Sequence, residues 1–530
     1  MTKTLKFLGA ALLATLAAAC GTSTKTSTGS SSITPGTLAL DPPFRIASLN
    51  AAALGAELGA SAAGAELLLV AGAPACGVDF YYIKFWTVGG ASEATESSGA
   101  LMVPTGGAGC SGPRPVLLYA HATNPNQALN IADITDPTNT EGALIAAMFA
   151  AQGYIVVAPN YAGYDISTLG YHPFLNAAQQ SGEMMNILSA ARTALPHTMS
   201  AATTDSGQLF VTGYSEGGHV ALATQRALQA AGATVTATAP MSGPYALEAF
   251  GDAIFYGQVD LESTVFAPLL TTSYQHAYQN VYAAPSDVYS PTYATGIDTL
   301  LPSTTPIDTI FSTGLLPETA LFSSTTPVIP GQPALTAALA VPSDPTNPDT
   351  PLFAAGFGSP YLINNSYRVD YILDAVADPD GAVPMPTAGV PLAATAPTLG
   401  LRLDFYTNDL RNGDWAPAVP TLLCGGDRDP TVFFSVNTGT MAAFWSPQVA
   451  AGLITVLDVN AAPSGPFAQV QAGFIGSQAA QLAFYQSAEG GNLSLAAAEQ
   501  QLVEGYHTAV APFCSLAARS FFSTFVGAQQ

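Results

Sequence analysis

The stretch that decides the fold is GYSEGG, residues 213–218. It follows the apolar run 209–212, which we predict to be a strand, and it opens the segment 217–231, which has the spacing of a helix. A strand that reverses sharply into a helix needs small residues around the turn, because larger side chains would clash there. In this context the pattern G-x-S-x-G indicates a turn that exposes a nucleophilic serine, Ser215, at a helix N-terminus.

Strand-like and helix-like segments alternate on both sides of this turn. Apolar runs predict strands at 78–88, 98–103, 115–119, 154–158, 235–241, 420–423 and 453–459. Helical spacing occurs at 141–152 and 181–195. This alternation predicts an α/β fold, in which helices flank both faces of a mostly parallel central sheet.

The alternation stops after Gly243, and the segment 245–398 is rich in Pro, Thr, Ser and aromatic residues with short helical patches. We interpret it as a large, mainly helical cap inserted after the sixth predicted strand, because a structureless loop of this length would be unusual. A separate binding domain at the same place is the alternative. The predicted core therefore has a first part at 44–244 and a second part at 399–530.

The N-terminus has the features of an export signal: two lysines, then an apolar stretch at 7–19. Cys20 ends this predicted signal peptide (1–20), and a Ser/Thr/Gly-rich segment, 21–43, is predicted to be a flexible tether. This order resembles a bacterial lipoprotein signal, which would attach lipid to Cys20; an ordinary secretory signal is the alternative. We expect an outer-membrane lipoprotein or a secreted protein, held at a membrane only through lipid on Cys20.

Cysteine usage agrees with export. The chain has five cysteines, and an odd thiol in an oxidising compartment needs an explanation, which lipidation of Cys20 would provide. Of the three ways to pair the other four, we favour Cys76 with Cys110 and Cys424 with Cys514. Each of these pairs brackets strands of one half of the predicted sheet. Buried free thiols are the alternative.

Composition excludes several classes of function. With 13 basic against 36 acidic residues the formal net charge is −23, which repels phosphate backbones and excludes nucleic acid as a partner. The sequence contains no H-E-x-x-H, EF-hand, P-loop or dinucleotide-binding pattern and no clustered Cys/His spacing, so no metal is predicted. Chemistry at a nucleophilic serine needs no cofactor.

A serine hydroxyl needs a general base, and histidine is the usual one. Of six histidines, His507 alone follows all the predicted strands, and we expect it in a loop, 504–507, before the last helix. His219 lies one helical turn beyond Ser215 and is assigned to helix packing, while His276 falls within the predicted cap. His507 is therefore the predicted base.

The acid that orients this histidine should follow the penultimate strand. Two aspartates do so, Asp427 and Asp429. We choose Asp429 from its spacing after the strand end, with Asp427, read as a solvated turn carboxylate, as its competitor.

Two backbone N–H groups are expected to bind the oxyanion of the tetrahedral intermediate. One belongs to Glu216, the residue after the nucleophile. The second should come from the loop at 120–124, where we choose Thr123. In the same loop, His121 is expected to have a structural role.

The segments LYAH (118–121), GYIVVAPNY (153–161) and GYSEGG, with the surroundings of Asp429 and His507, resemble the secreted lipase family that includes fungal lipase A-type enzymes and lid-bearing bacterial esterases. The likeness covers about 65–525 and is weakest through the cap. It implies an α/β-hydrolase core, a helical lid and hydrolysis of carboxylic esters. Ala122 replaces the usual Gly, and Asn160 replaces a frequent Asp. A serine peptidase and an inactive surface-binding homologue are the alternative functions.

Overall fold

The computed structural model describes residues 34–347, 349–380, 397–413 and 415–526. The predicted signal peptide, the lipidation candidate Cys20 and residues 21–33 of the predicted tether lie outside the described residues, as do residues 381–396 of the predicted cap. Within the described ranges, no helix combines the length and the apolar character needed to cross a membrane.

The centre of the protein is a nine-stranded sheet, and a separate pair of two-residue strands lies in the cap segment. In chain order the strands are β1 (Phe44–Leu49), β2 (Gly77–Val88), β3 (Ala94–Thr105), β4 (Gly112–Ala120), β5 (Ile155–Pro159), β6 (Thr203–Tyr214), β7 (Ala237–Met241), the short β8 (Phe322–Ser323) and β9 (Phe357–Gly358), β10 (Thr421–Gly425) and β11 (Ile454–Asp458). The large sheet has the order β1-β2-β3-β5-β4-β6-β7-β10-β11. From β5 to β11 all neighbours are parallel, so the carboxyl ends of β4, β6 and β10 meet at one edge.

Two helical layers cover the sheet, as predicted for an α/β fold. One face is covered by α4 (Ala177–Ala194) and α5 (Glu216–Ala230). The other carries helices near both ends of the chain, namely α1 (Ala51–Leu58), α2 (Ala62–Ala71), α3 (Thr140–Met148) and α17 (Tyr506–Ser523). Each layer encloses its own cluster of buried aliphatic and aromatic side chains. Burial of this apolar surface is the main force that holds the layers together.

The N-terminal boundary differs from the prediction. Residues 34–43 belong to the predicted tether, yet Gly36 and Ala39 donate backbone hydrogen bonds to carbonyls of β2, each at 2.8 Å. Strand β1, which follows directly, was not predicted, because it is a partly exposed edge strand without a continuous apolar run. The insertion therefore follows the seventh strand of the structure, which is the sixth predicted one.

The segment between β7 and β10 is mainly helical, as predicted for the cap. Its helices are α6 (Leu247–Phe255), α7 (Ser263–Tyr278), α8 (Ile307–Ser312), α9 (Pro333–Ala338), α10 (Thr350–Ala355), α11 (Asn365–Ala377) and α12 (Gly400–Asn408). Except for α10, whose Phe353 packs elsewhere, they share a core rich in tyrosine and phenylalanine. At its centre Arg402 is buried and bonds Asp252 at 2.9 Å, Glu248 at 3.1 Å and Asp374 at 3.1 Å. This ion cluster joins α12 to α6 and α11, so α12 packs with the cap although it lies after residue 398.

The C-terminal part completes the core with helices α13 (Thr440–Phe444), α14 (Ser446–Ala450), α15 (Ala468–Gln486), α16 (Leu495–Glu504) and the already described α17. Two disulfide bonds, Cys76–Cys110 and Cys424–Cys514, have the predicted pairing. The second joins β10 to α17 across 90 residues of sequence. Such bonds form and persist in oxidising compartments, which indicates an exported protein.

Candidate active site

Ser215 lies in a strained turn between β6 and α5. Its φ of 57° and ψ of −122° are unusual for a residue with a side chain. The backbone N–H of Ser215 is held at 3.0 Å by the carbonyl of Met241 at the end of β7. Strain of this kind is typical of functional positions. The structure therefore contains the sharp strand–helix turn that the sequence predicts.

The glycines around Ser215 allow the backbone of this turn to pack closely against the ends of β4 and β7. A Cβ on Gly213 would lie 2.2 Å from the carbonyl oxygen of Gly217, and one on Gly217 would lie 2.0 Å from that of Ala120. A Cβ on Gly218 would be 2.5 Å from the carbonyl oxygen of Met241. No side chain fits at these distances, so the turn requires glycine at all three positions.

The side chain of Glu216 is buried beneath this turn. One carboxylate oxygen bonds Nε2 of His172 at 2.7 Å and accepts the Nε2 hydrogen of Gln180 at 2.6 Å. Burial alone would raise the pKa of Glu216, but the imidazole and the amide outweigh it and lower that pKa. His172 and Gln180 were not predicted from the sequence. They anchor the first residue of α5, whose backbone N–H is one of the donors that a helix start leaves free.

The loop after β4 approaches the same helix start. The N–H of Ala122 donates to the Glu141 carboxylate at 3.0 Å, and His121 bonds the carbonyls of Ala122 at 2.6 Å and Asn160 at 3.2 Å. His121 therefore has the structural role that we expected. The N–H of Ala122 is already bonded to Glu141, so the next N–H of the loop, that of Thr123, is the candidate to bind a ligand. Thr123 lines one cavity together with Ser215 and Glu216.

Asp429 and His507 come together across 78 residues of sequence. His507 Nδ1 lies 2.7 Å from Asp429 Oδ2, while Asp429 Oδ1 accepts the N–H groups of Thr431 and Val432, both at 3.0 Å. Burial disfavours a charged imidazole, but the Asp429 carboxylate outweighs it and raises the pKa of His507. The expected loop around His507 was wrong: this residue lies in the first turn of α17, because the helix begins at Tyr506.

The other candidate for the orienting acid, Asp427, bonds a different residue. It is exposed, and its Oδ1 accepts the side-chain amide of Asn460 at 2.7 Å. Among the described residues it makes no hydrogen bond to His507, which leaves Asp429 as the carboxylate that orients the imidazole.

Tyr214, the residue before Ser215, contacts His507 directly. Its ring centroid lies 4.9 Å from that of His507, and its hydroxyl donates to the His507 carbonyl. This places the turn and the imidazole side by side at the carboxyl edge of the sheet. Sequence reasoning missed Tyr214, since nothing local marks a contact with a residue 293 positions away.

No hydrogen bond joins Ser215 to His507 in this structure. His507 Nε2 is buried and makes no hydrogen bond to any described residue, Ser215 included. Catalytic hydrogen bonds are often long in ligand-free proteins and tighten when substrate binds.

A cavity opens directly in front of Ser215, and its walls are mainly apolar. The core contributes Thr123, Thr431 and Val432, and the cap contributes most of the remaining wall. The cap side chains are chiefly aromatic and aliphatic, among them Phe250, Ile254, Phe255, Phe266, Leu270 and Phe405. Because Ser215 lines this cavity, its hydroxyl can reach a ligand whose apolar part lies beneath the cap.

Solved structures share this architecture. LipA of Xanthomonas oryzae, a rice cell wall degrading esterase, is 24% identical over 89% of this chain and 100% of that chain, with a TM-score of 0.59. A candidate hydrolase from Legionella pneumophila is 17% identical over 92% of this chain and 98% of that chain, with a TM-score of 0.58. Candida antarctica lipase A in its closed state is more distant, with a TM-score of 0.41 at 12% identity over 87% of this chain and 84% of that chain.

No protein-family model matches the chain, and no curated protein does. The sheet order, the serine turn and the structural matches together define an α/β-hydrolase fold, and they confirm at the level of fold the predicted resemblance to lipases and esterases. The chain thus has the α/β-hydrolase fold, with a mainly helical segment between β7 and β10.

Proposed function

We propose that the protein is a serine hydrolase that cleaves carboxylic esters. The observation that carries the proposal is the hydrogen bond of 2.7 Å between His507 and Asp429, formed beside the turn that presents Ser215. A histidine oriented by a buried carboxylate next to a strained serine is the arrangement that activates a hydroxyl nucleophile. The esterase activity of LipA agrees with this reading.

The reaction runs in two halves. The hydroxyl oxygen of Ser215 attacks the ester carbonyl while His507 Nε2 takes the hydroxyl proton, and the N–H groups of Glu216 and Thr123 bind the oxyanion. Collapse breaks the bond to the alcohol, which leaves with the proton from His507. Water then attacks the acyl-enzyme by the same route, losing its proton to His507 and releasing the acid and Ser215. Asp429 keeps Nδ1 protonated and stabilises the imidazolium.

The acyl group would occupy the cavity beneath the cap. Its walls are apolar apart from a few side chains, and burial of apolar surface would contribute most of the binding free energy. We therefore expect alkanoyl esters to be cleaved in preference to acetates. We also place the end of the cap after α12, because Arg402 ties that helix to α6 and α11.

Labelling of Ser215 tests the proposal. A fluorophosphonate should modify the protein stoichiometrically, and Ser215→Ala should remove both labelling and hydrolysis of p-nitrophenyl butyrate. Failure of the native protein to react would reject an active serine. Cleavage of aminoacyl amides with no cleavage of esters would assign the same residues to a peptidase.

We further propose that the exported protein is anchored by lipid on Cys20. A clickable palmitate analogue fed to expressing cells should label the native protein but not Cys20→Ser. The variant should also move from the membrane fraction to the soluble fraction. An unlabelled native protein would show that export alone is involved.

A further inference from the structure

A buried carboxyl group from the cap forms part of the wall of the cavity that Ser215 lines. Asp260 lies between α6 and α7, is 4% exposed, and lines the same cavity as Ser215. The N–H of its neighbour Leu261 donates to the carbonyl of Pro430 at 3.1 Å, so this part of the cap rests on the loop that carries Asp429. Asp260 is thus close to the site of the proposed chemistry.

One oxygen of this carboxyl group is unused. The Ser263 hydroxyl donates to Oδ1, and it lies 2.8 Å from the backbone carbonyl of Asp260. Oδ2 is buried and has no hydrogen-bond partner among the described residues. A buried polar atom without a partner is costly and rare, so its presence calls for an explanation.

The charge environment of Asp260 also calls for an explanation. No lysine, arginine or histidine of the described ranges forms an ion pair with Asp260. Burial, with smaller effects from the Glu262 and Asp429 carboxylates, raises the pKa of Asp260 to about 8. Near neutral pH the group is an uncharged acid, which can both donate and accept a hydrogen bond.

Helix capping does not account for this side chain. The N-cap residue of α7 is Glu262, and among the described residues Asp260 makes one side-chain hydrogen bond, with the Ser263 hydroxyl. Of the other polar cap residues that line the cavity, Ser263 uses its hydroxyl on Asp260, and Thr271 bonds the Tyr289 hydroxyl at 2.6 Å. Oδ2 of Asp260 is therefore the polar atom that the cap leaves for a ligand.

We propose that Asp260 binds a hydroxyl group on the acyl chain of the substrate, so that the preferred substrates are esters of hydroxy acids. This inference rests on the proposed ester hydrolysis. A hydroxyl fits because it donates and accepts, and so it satisfies the carboxyl group in either protonation state. A plain alkanoyl chain would leave the buried Oδ2 unpaired, and sites built in this way discriminate strongly against such analogues.

Matched esters test the inference. We would measure kcat/KM by proton release for ethyl hexanoate and for its 3-hydroxy, 4-hydroxy and 6-hydroxy derivatives. The native protein should favour at least one hydroxy ester over the plain ester by about tenfold or more. Asp260→Asn, which keeps hydrogen-bonding atoms at the same place, should retain most of this ratio. Asp260→Leu should bring the ratio close to one.

Thr271→Val is the matched control, because it removes a hydroxyl of the same cavity that already has an internal partner. Its ratio should equal that of the native protein. A native ratio near one for every derivative would overturn the inference without any variant, and so would an unchanged ratio in Asp260→Leu. If the proposed function itself is wrong, no ester of the panel is cleaved and the fluorophosphonate does not react.

Discussion

Replacing Asp429 by asparagine should nearly abolish turnover while the fold stays intact. Asp429 Oδ1 accepts the N–H groups of Thr431 and Val432, both at 3.0 Å, so the amide oxygen of Asp429→Asn must occupy that position. The amide NH2 group then faces Nδ1 of His507, which lies 2.7 Å from Oδ2 in the native protein. Two donors cannot bond, so the imidazole adopts the tautomer whose Nε2 carries a proton.

That tautomer cannot take the proton of Ser215. In a well-studied serine protease the same change lowers kcat about 10⁴-fold, and we expect a loss of about 10³- to 10⁴-fold here. This loss corresponds to about 4 to 5 kcal/mol of transition-state stabilisation. Substrate contacts are untouched, so KM should change by less than about threefold on this reasoning.

The assay is steady-state hydrolysis of p-nitrophenyl butyrate, with Asp427→Asn as the matched control from the same loop. Asp427 is exposed and bonds Asn460 at 2.7 Å, so this variant should keep kcat within about twofold. Thermal unfolding of both variants would show that the fold is retained. If Asp429→Asn keeps a tenth of the activity, or if the control falls equally, the assignment of the acid is wrong.

Three further outcomes follow from the structure. His507 must be neutral to accept a proton, and its pKa is raised, so kcat/KM should rise with pH through a midpoint above the ordinary histidine value of 6.5. A midpoint at or below 6.5 in a pH–rate profile would contradict the assigned environment of His507. Replacing both Cys424 and Cys514 by alanine releases a 90-residue loop, and denaturant titration should show a loss of about 4 to 5 kcal/mol of unfolding free energy; a loss below 1 kcal/mol would mean that the bond is not structural. Arg402→Met leaves Asp252 and its acidic neighbours buried without a cation, and should lower the free energy of unfolding by about 3 to 5 kcal/mol in the same titration. Arg192→Met, at the more exposed pair with Asp205, should lower it by at most about 1 kcal/mol. Equal effects of the two substitutions would refute the importance of burial.

The sequence predicts the central strands and the serine turn well, because both depend on local patterns. A buried strand such as β5 needs a continuous apolar run, and the turn at Ser215 needs glycines at fixed positions. This reasoning misses strand β1, because this partly exposed edge strand lacks such a run. The same reasoning misses helices α1 and α2, because they are rich in alanine and only weakly amphipathic.

In the candidate site, spacing alone predicts Ser215, Asp429 and His507, because their positions after strands or before a helix are visible in the sequence. The supporting contacts were not visible. His172 meets Glu216 across 44 residues, and Tyr214 meets His507 across 293, and no local pattern encodes such distances. Asp260 was missed for a related reason, because the sequence alone cannot distinguish a buried aspartate from a solvated one.

Helix α17 carries both His507 and Cys514, and it is the last helix of the described chain. On the proposed assignment, a polypeptide that emerges from the ribosome or the export channel N-terminus first has its serine turn long before it has a base. Ester cleavage therefore becomes possible only when α17 has docked on the sheet. A product that stops before α17, however well its earlier part folds, would lack the histidine that activates Ser215 and so could not cleave esters inside the cell that makes it.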